Sequence, residues 1–321
     1  MLERLLEEVK VKSVLTTFFD YDAEVDWDLT MRCNYSCSYC ESYDNSVPAH
    51  FKTLNECKIA IQTLKEYFGN KKVRVQILGG EPMLFKHWDS LLNLIYESGY
   101  SPKICTNLSI NNKTLTKKIE TLLPKNCIDV SWHTQFADEN ILVNNIETIK
   151  ESGHLRTVSI LADKRYWEKV VSAYNRVKHL DSVEISYIKD EAAGKNKIAS
   201  KLTKYTEEEI SFIESVNKKT YTSNYKTEII FKDDQKTEVN SITQFFEKGI
   251  NNFKGLNCDV GLLRLQIKPN GDVFPSACLL NFPKAKMGNL YEGIINKPKQ
   301  PIKCPFTFCG CGGDLRINKY E

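Results

Sequence analysis

Val25-Asp26-Trp27-Asp28-Leu29-Thr30-Met31-Arg32-Cys33-Asn34-Tyr35-Ser36-Cys37-Ser38-Tyr39-Cys40 is the stretch from which the rest of the chain is read. Over Val25 to Thr30 apolar and polar residues alternate, the period of a strand with one face on a core and one face turned away from it. The strand runs straight into three thiols spaced CxxxCxxC. Three thiolates on one loop can hold a metal, yet they neither complete a tetrahedral zinc site nor cap all four irons of a cubane. One position stays open unless a remote residue such as His50 closes it as a zinc ligand.

From about residue 24 to 190 the same strand pattern recurs between longer helical patterns, the mark of βα units and a parallel sheet. Six strands are expected, centred on Val25 to Thr30, Val73 to Leu78, Pro102 to Thr106, Ile128 to His133, Thr157 to Leu161 and Val183 to Ile188. Thr53 with Glu56 caps the first helix, and Gly69, Gly99 and Gly153 mark helix ends. One face of these strands is apolar: Val25, Trp27, Val75, Ile77, Val130, Trp132, Val158, Ile160, Val183 and Ile185 lie on it. The other carries Asp26, Asp28, Gln76, Cys105, Asn107, Asp129, Ser131, His133, Ser159, Glu184 and Ser186. A closed eight-stranded barrel fills its lumen with branched apolar side chains, and a sheet covered on both sides is apolar on both faces. The pattern therefore predicts a curved sheet with helices outside only, whose polar concave face holds a cofactor and substrate. An ordinary half-exposed sheet is the alternative.

With 321 residues the chain is long enough for one α/β barrel and an appendage. Lysine plus arginine number 44 against 41 aspartate plus glutamate, a net charge of +3, so nothing in the charge predicts nucleic acid or an anionic membrane as partner. Charges at Glu3, Arg4, Glu7 and Glu8 interrupt the N-terminus as a signal peptide would not allow, and no run is apolar enough to span a bilayer. A cytoplasmic location is expected. The eleven cysteines fall mainly into CxxxCxxC and CxxxxCxC groups, which suits metal binding in a reducing compartment better than a disulfide scaffold. Cys57, Cys105 and Cys127 read as small buried hydrophobes. Residues 1–23 are expected as an N-terminal helical extension, 24–190 as the barrel, 191–224 as a linker and helix over Thr206 to Asn217, and 225–321 as a cysteine-rich domain. In the last, a strand near Glu228 to Phe231 precedes a hairpin over Leu263 to Phe274 turning at Asn270-Gly271.

One βα unit after the thiol loop stands Gln76-Ile77-Leu78-Gly79-Gly80-Glu81-Pro82. Glycines here let backbone approach a ligand, and the proline fixes the turn. By itself such a tetrapeptide is only a turn. Following CxxxCxxC with Tyr39 beside the third cysteine, it resembles the GGEP motif of the radical S-adenosylmethionine (SAM) superfamily over about residues 24 to 190. The resemblance implies an α/β fold, a partial (β/α)6 TIM-type barrel. It implies that Cys33, Cys37 and Cys40 ligate three irons of a 4Fe–4S cluster while the amino and carboxylate groups of SAM chelate the fourth. Gly79, Gly80, Glu81 and Pro82 would then support the methionine amino group. Asn107 looks like the TN(G) turn of relatives, with Leu108 in place of the glycine. Ser131 falls where relatives touch the ribose or carboxylate of SAM, and Leu161 where they pack on adenine. Each could equally be structural. His133, inward at a strand end, is a candidate for proton transfer, and Glu184 raises the same question.

Cys258, the hairpin, Cys278, Gly288-Asn289-Leu290 and then Cys304, Cys309 and Cys311 resemble the SPASM/twitch extension that binds auxiliary 4Fe–4S clusters. Five cysteines suffice for one fully ligated cluster with one to spare, which matches the shorter twitch form. Two departures stand out: Cys278 lies two residues past the usual position, at Ser276, and the last group is CxxxxCxC rather than CxxC. Which two of Cys304, Cys309 and Cys311 complete the set stays open, and zinc is the alternative metal. The resemblance implies reductive cleavage of SAM to a 5′-deoxyadenosyl radical that abstracts hydrogen, with a flavodoxin- or ferredoxin-type electron donor as partner. The substrate is expected to be a small polar metabolite, for example a sugar or nucleotide-linked sugar. A peptide maturase is the rival, disfavoured because only about two dozen residues precede the first strand and leave no fused leader-recognition domain. A non-catalytic zinc-stabilised binding protein is the reading from another class.

Overall fold

The computed structural model describes residues 10–40, 44–46, 51–188, 203–220, 225–239 and 242–321. In chain order the elements are β1 (Val11–Phe18), β2 (Ala23–Asp28), α1 (Leu54–Phe68), β3 (Val73–Leu78), α2 (Trp88–Glu97), β4 (Ser101–Thr106), α3 (Asn112–Ile119), β5 (Ile128–Trp132), α4 (Glu139–Glu151), β6 (Leu155–Leu161), α5 (Trp167–Val177) and β7 (Val183–Ser186). There follow α6 (Glu207–Thr220), β8 (Tyr225–Phe231), β9 (Lys236–Val239), α7 (Ile242–Glu247), β10 (Asn257–Cys258), β11 (Arg264–Ile267), β12 (Asp272–Phe274), β13 (Gly288–Asn289), β14 (Ile294–Ile295), β15 (Ile302–Lys303), α8 (Gly312–Leu315) and β16 (Lys319–Tyr320). The chain forms two compact units, one within 26–62 and 74–222, the other within 1–25, 63–73 and 223–321.

In the first unit β2 to β7 lie side by side in sequence order, and β3 to β7 pair in parallel. This is the partial (β/α)6 barrel expected. Its apolar face is dry: Trp27, Ile77, Ile104, Val130, Trp132 and Ile160 are completely buried. Leu91, Leu92 and Ile95 of α2, Ile146 and Ile149 of α4 and Val170, Ala173 and Val177 of α5 are buried in the same unit. Each fully buried aliphatic side chain contributes about 1.5–3 kcal/mol. The capping box before α1 forms as expected, with Thr53 N donating to Glu56 Oε2 at 2.8 Å and Glu56 N to Thr53 Oγ1 at 3.2 Å. The charged segment 189–197 lies outside the described residues, and the helix expected over Thr206 to Asn217 is α6, started by a second box between Thr206 and Glu209.

The polar face holds an ion triad centred on the buried Asp129. Asp129 Oδ2 on β5 pairs with Lys103 Nζ at 2.6 Å from β4 and with Arg156 Nη2 at 2.7 Å from β6. Strict alternation would place Arg156 on the opposite side. The β5–β6 register slips between Ile128 and Asp129, and Arg156 is the extra residue of the bulge. Above the triad, Ser159 and Ser186 share a hydrogen bond at 2.6 Å.

The second unit contains a six-stranded sheet in the order β15-β10-β16-β1-β8-β9 and a meander β11-β12-β13-β14. The helical extension expected over 1–23 gives way to β1 at Val11–Phe18, and residues 1–9 lie outside the described residues. The β-branched Val11, Val14, Thr16 and Thr17 suit a pleated surface, and β8 pairs antiparallel along the whole of β1. Val11, Val14, Ile229, Val239, Phe245, Phe253 and Leu315 form the core of this unit. Beside it the buried Arg264 guanidinium bridges Glu24 and Asp314.

Candidate metal and cofactor site

Two turns at the carboxyl end of the parallel sheet are pressed together. Gly80 N donates to Thr30 O at 2.7 Å and Glu81 N to Arg32 O at 2.8 Å. A Cβ on Gly79 would sit 2.2 Å from Thr30 O, and one on Gly80 would sit 2.1 Å from Arg32 O. Gly79 also has φ +130°, which side chains rarely adopt. The glycines therefore let the turn after β3 dock on the entry to the thiol loop. Backbone, rather than ligand alone, makes the close approach.

The Glu81 carboxylate points into the protein. It accepts from Met83 N at 2.8 Å, Thr106 Oγ1 at 2.7 Å and Asn107 N at 2.7 Å. Burial pushes its pKa up to about 7 while these three donors pull the other way. Asn107 carries the connection onward: its Nδ2 donates to Asn34 Oδ1 at 2.9 Å and lies 3.9 Å from Cys33 Sγ. Asn34 Nδ2 in turn donates to Ser109 Oγ at 2.7 Å, and Cys33 N to Asn45 Oδ1 at 2.9 Å. On the far side Tyr39 OH meets His133 Nδ1 at 2.9 Å and stacks on the imidazole at 5.9 Å, while Cys37 Sγ is 3.5 Å from the same nitrogen. Arg165, fixed by buried Asp163, donates to Ser38 Oγ.

These contacts shape a cavity of about 200 Å³. Cys33, Cys37 and Cys40 line it together with Gly79, Gly80, Asn107, Ser131 and His133. Four predicted residues stand off the cavity: Tyr39 behind His133, Glu81 and Pro82 buried beneath the glycine turn, and Leu161 half-buried at the end of β6. Tyr35, Leu78, Cys105 and Thr106 line it without having been singled out. Cys105 is half-buried at the site rather than a core hydrophobe; the signal was its place on the polar face, two residues before Asn107. His50 lies outside the described residues.

Burial pushes the thiols of Cys33 to about 11 and Cys37 to about 12, so both are neutral at pH 7 and loading a metal must displace their protons. Burial lowers the pKa of His133 to about 4, and its ring stacks on Tyr39 with Nδ1 3.5 Å from Cys37 Sγ. Among the described residues no three histidine, cysteine, aspartate or glutamate side chains converge on one ion-sized point; the three thiols line one cavity. Three soft donors lining one cavity with backbone and small polar groups fit an iron–sulfur cluster.

In the second unit Cys258 lies on β10, Cys278 in a turn at Ala277–Leu279, Cys304 just after β15 and Cys311 at the N-cap of α8. Cys309 N donates to Asn251 O at 2.8 Å. Ser276 Oγ, at the residue where the usual spacing would have put a thiol, touches Cys278 Sγ at 3.0 Å. The five share one neighbourhood: burial raises Cys278 and Cys309, and neighbouring cysteines add to it, Cys304 and Cys258 at the first, Cys278 and Cys311 at the second.

Fold and site together define an open parallel α/β protein with a thiol-walled cavity at the carboxyl end of its sheet. Residues 27–181, just under half of the chain, match the radical SAM superfamily model. A stretch of 103 residues is 30% identical to the S-adenosylmethionine-dependent nucleotide dehydratase of Selenomonas ruminantium, covering 30% of this chain and 34% of that protein. Another 95-residue match is 34% identical to GTP 3′,8-cyclase of Vibrio cholerae serotype O1, covering 28% and 27%. The chain thus spans about a third or less of these curated relatives. Among solved structures, native anSMEcpe with bound AdoMet aligns at TM-score 0.55 and 13% identity over 84% of this chain and 78% of that one. Streptococcus suis SuiB bound to precursor peptide SuiA aligns at 0.54 and 17% over 86% and 64%. At such identities the likeness is one of fold. Among the described residues no helix is long and apolar enough to cross a membrane.

Proposed function

We propose that this protein is a radical SAM enzyme that reductively cleaves SAM and abstracts hydrogen from a small polar metabolite, with an auxiliary 4Fe–4S cluster on four of its five C-terminal cysteines. The observation that carries this reading is that the thiol trio and the Gly79-Gly80 edge wall one cavity on the polar side of the sheet. Cys33, Cys37 and Cys40 would hold the cluster, with the Gly79-Gly80 edge, Asn107 and Ser131 toward SAM. When bound, these groups supply one electron and the 5′-deoxyadenosyl radical. The chain's own part is aim and dryness. Asn107 and Asn34 hold the cysteine loop against β4, Glu81 locks the backbone of Asn107, and the stacked Tyr39–His133 pair closes the loop's other flank.

The ionic residues Lys103, Asp129, Arg156 and Glu184 interact with one another on the polar side of the sheet, which supports a polar substrate carrying charge or many hydroxyls. A peptide substrate is the second reading, favoured by the fold shared with SuiB, which was solved with its precursor peptide. Both readings take an electron from a flavodoxin- or ferredoxin-type donor. Iron and acid-labile sulfide analysis of anaerobically purified protein is the deciding experiment. Iron with sulfide, and 5′-deoxyadenosine formation from SAM that is lost in Cys37→Ala, is the expected result. Colourless protein with stoichiometric zinc and no sulfide would leave a zinc-stabilised binding protein instead.

A further inference from the structure

Lys319 is 1% exposed. Its ammonium donates to three carbonyls, Asp314 O at 2.6 Å, Ile317 O at 2.8 Å and Leu315 O at 3.3 Å, and lies 4.7 Å from the centre of the Phe253 ring. Among the described residues no carboxylate forms an ion pair with it. The nearby acids are engaged elsewhere: Asp314 Oδ1 accepts from Arg264 Nε at 2.9 Å, and Glu24 pairs with Arg264 and Arg316. A buried ammonium without a counter-ion costs several kcal/mol, which carbonyl dipoles and a ring face only partly offset.

The strand pairing sets the residue that carries this cation against a cysteine. Lys319 on β16 is the direct antiparallel partner of Cys258 on β10. Directly opposed residues put their side chains on the same face with Cβ atoms about 5 Å apart. Cys304 N reaches the same short strand region through Leu256 O at 2.8 Å.

We infer that Lys319 is the internal counter-charge of the auxiliary centre: a positioning residue whose buried cation favours thiolate ligation by Cys258 and its neighbours and raises the centre's reduction potential. The inference rests on reading the C-terminal cysteines as ligands of an iron–sulfur cluster. One-electron uptake adds negative charge to a group that four thiolates already make anionic, and potential follows net charge and burial. A fixed buried cation beside the ligands stabilises the reduced form more than the oxidised one. The auxiliary centre is thereby a better acceptor for an electron leaving a substrate radical. A lysine that merely caps the carbonyls after α8 would leave the potential where it is.

The test uses the full chain with Cys33, Cys37 and Cys40 replaced by alanine, so that any remaining cluster is the auxiliary one, reduced stepwise with dithionite and followed by EPR. Adding Lys319→Gln, whose amide still donates to carbonyls, is expected to shift the reduction equilibrium at least tenfold toward the oxidised form, about 59 mV for one electron. Lys319→Arg is expected to stay near the parent value. Lys319→Met repeats the measurement should the glutamine variant fail to fold. An unmoved potential at parental iron content in a neutral variant would overturn the role of Lys319 while leaving the cluster in place. An iron-free triple-cysteine parent would overturn the auxiliary cluster itself.

Discussion

The carboxylate of Glu81 accepts a hydrogen bond from the backbone N–H of Asn107 at 2.7 Å, fastening the turn after β3 to the turn after β4. That contact fixes where Asn107 presents its amide to the thiol loop, so a residue off the cavity governs its shape. The group is also a pH-dependent element. Its folded pKa of about 7 lies above the ordinary 4.5, so it contributes stability that is full below about pH 4.5 and is lost as pH rises through 7. At about 1.4 kcal/mol per unit the change is on the order of 3 kcal/mol. The urea midpoint of the metal-free wild type should therefore be higher at pH 5 than at pH 8, and Glu81→Gln should flatten that difference. Equal slopes in the two proteins would refute the assignment.

Gly80→Ala places a methyl 2.1 Å from Arg32 O, a contact between two backbones that no rotamer change relieves. A loss of about 3 kcal/mol or more is expected, with failure of the thiol loop to retain metal. A melting temperature within about 2 °C of wild type would show that the two turns have room to separate.

Leu108 occupies φ +51° with its side chain completely buried, in the turn after β4. Leu108→Gly should relieve about 1 kcal/mol of backbone strain yet lose about 3 kcal/mol of burial and packing. The net expectation is a modest loss of stability by denaturant titration; a gain would mean that strain outweighs packing here.

Asp129 is raised by burial but held below its ordinary value by Lys103 and Arg156. Its contribution is therefore present above about pH 3.8 and is lost as pH falls through the depressed folded value. Asp129→Asn removes the shared partner of the partly exposed Lys103 and Arg156 and should cost about 1.5–3 kcal/mol at pH 7. Far-UV circular dichroism across a urea series checks it, and a loss under about 1 kcal/mol would mean that the triad is well hydrated.

Local chemistry was legible without coordinates. Two-residue alternation located β3, β4, β5, β6 and β7 to within a few residues, because facing a dry or a wet side imposes itself on every second position. The spacing of Cys33, Cys37 and Cys40, and the glycines that follow one βα unit later, likewise carried the site. What the sequence alone could not settle depended on partners far along the chain. Val11–Phe18 is a strand because Tyr225–Phe231 lies beside it, and an isolated stretch of that composition does not reveal such a neighbour. Arg156 reaches Asp129 only through a bulge, and Glu81 turns inward only because Thr106 and Asn107 offer donors there. Cys258 and Lys319 are unremarkable letters until β10 and β16 pair them. Periodicity is a property of consecutive residues; register, bulges and buried charge pairing are properties of strands brought together by the fold, and those decided the rest.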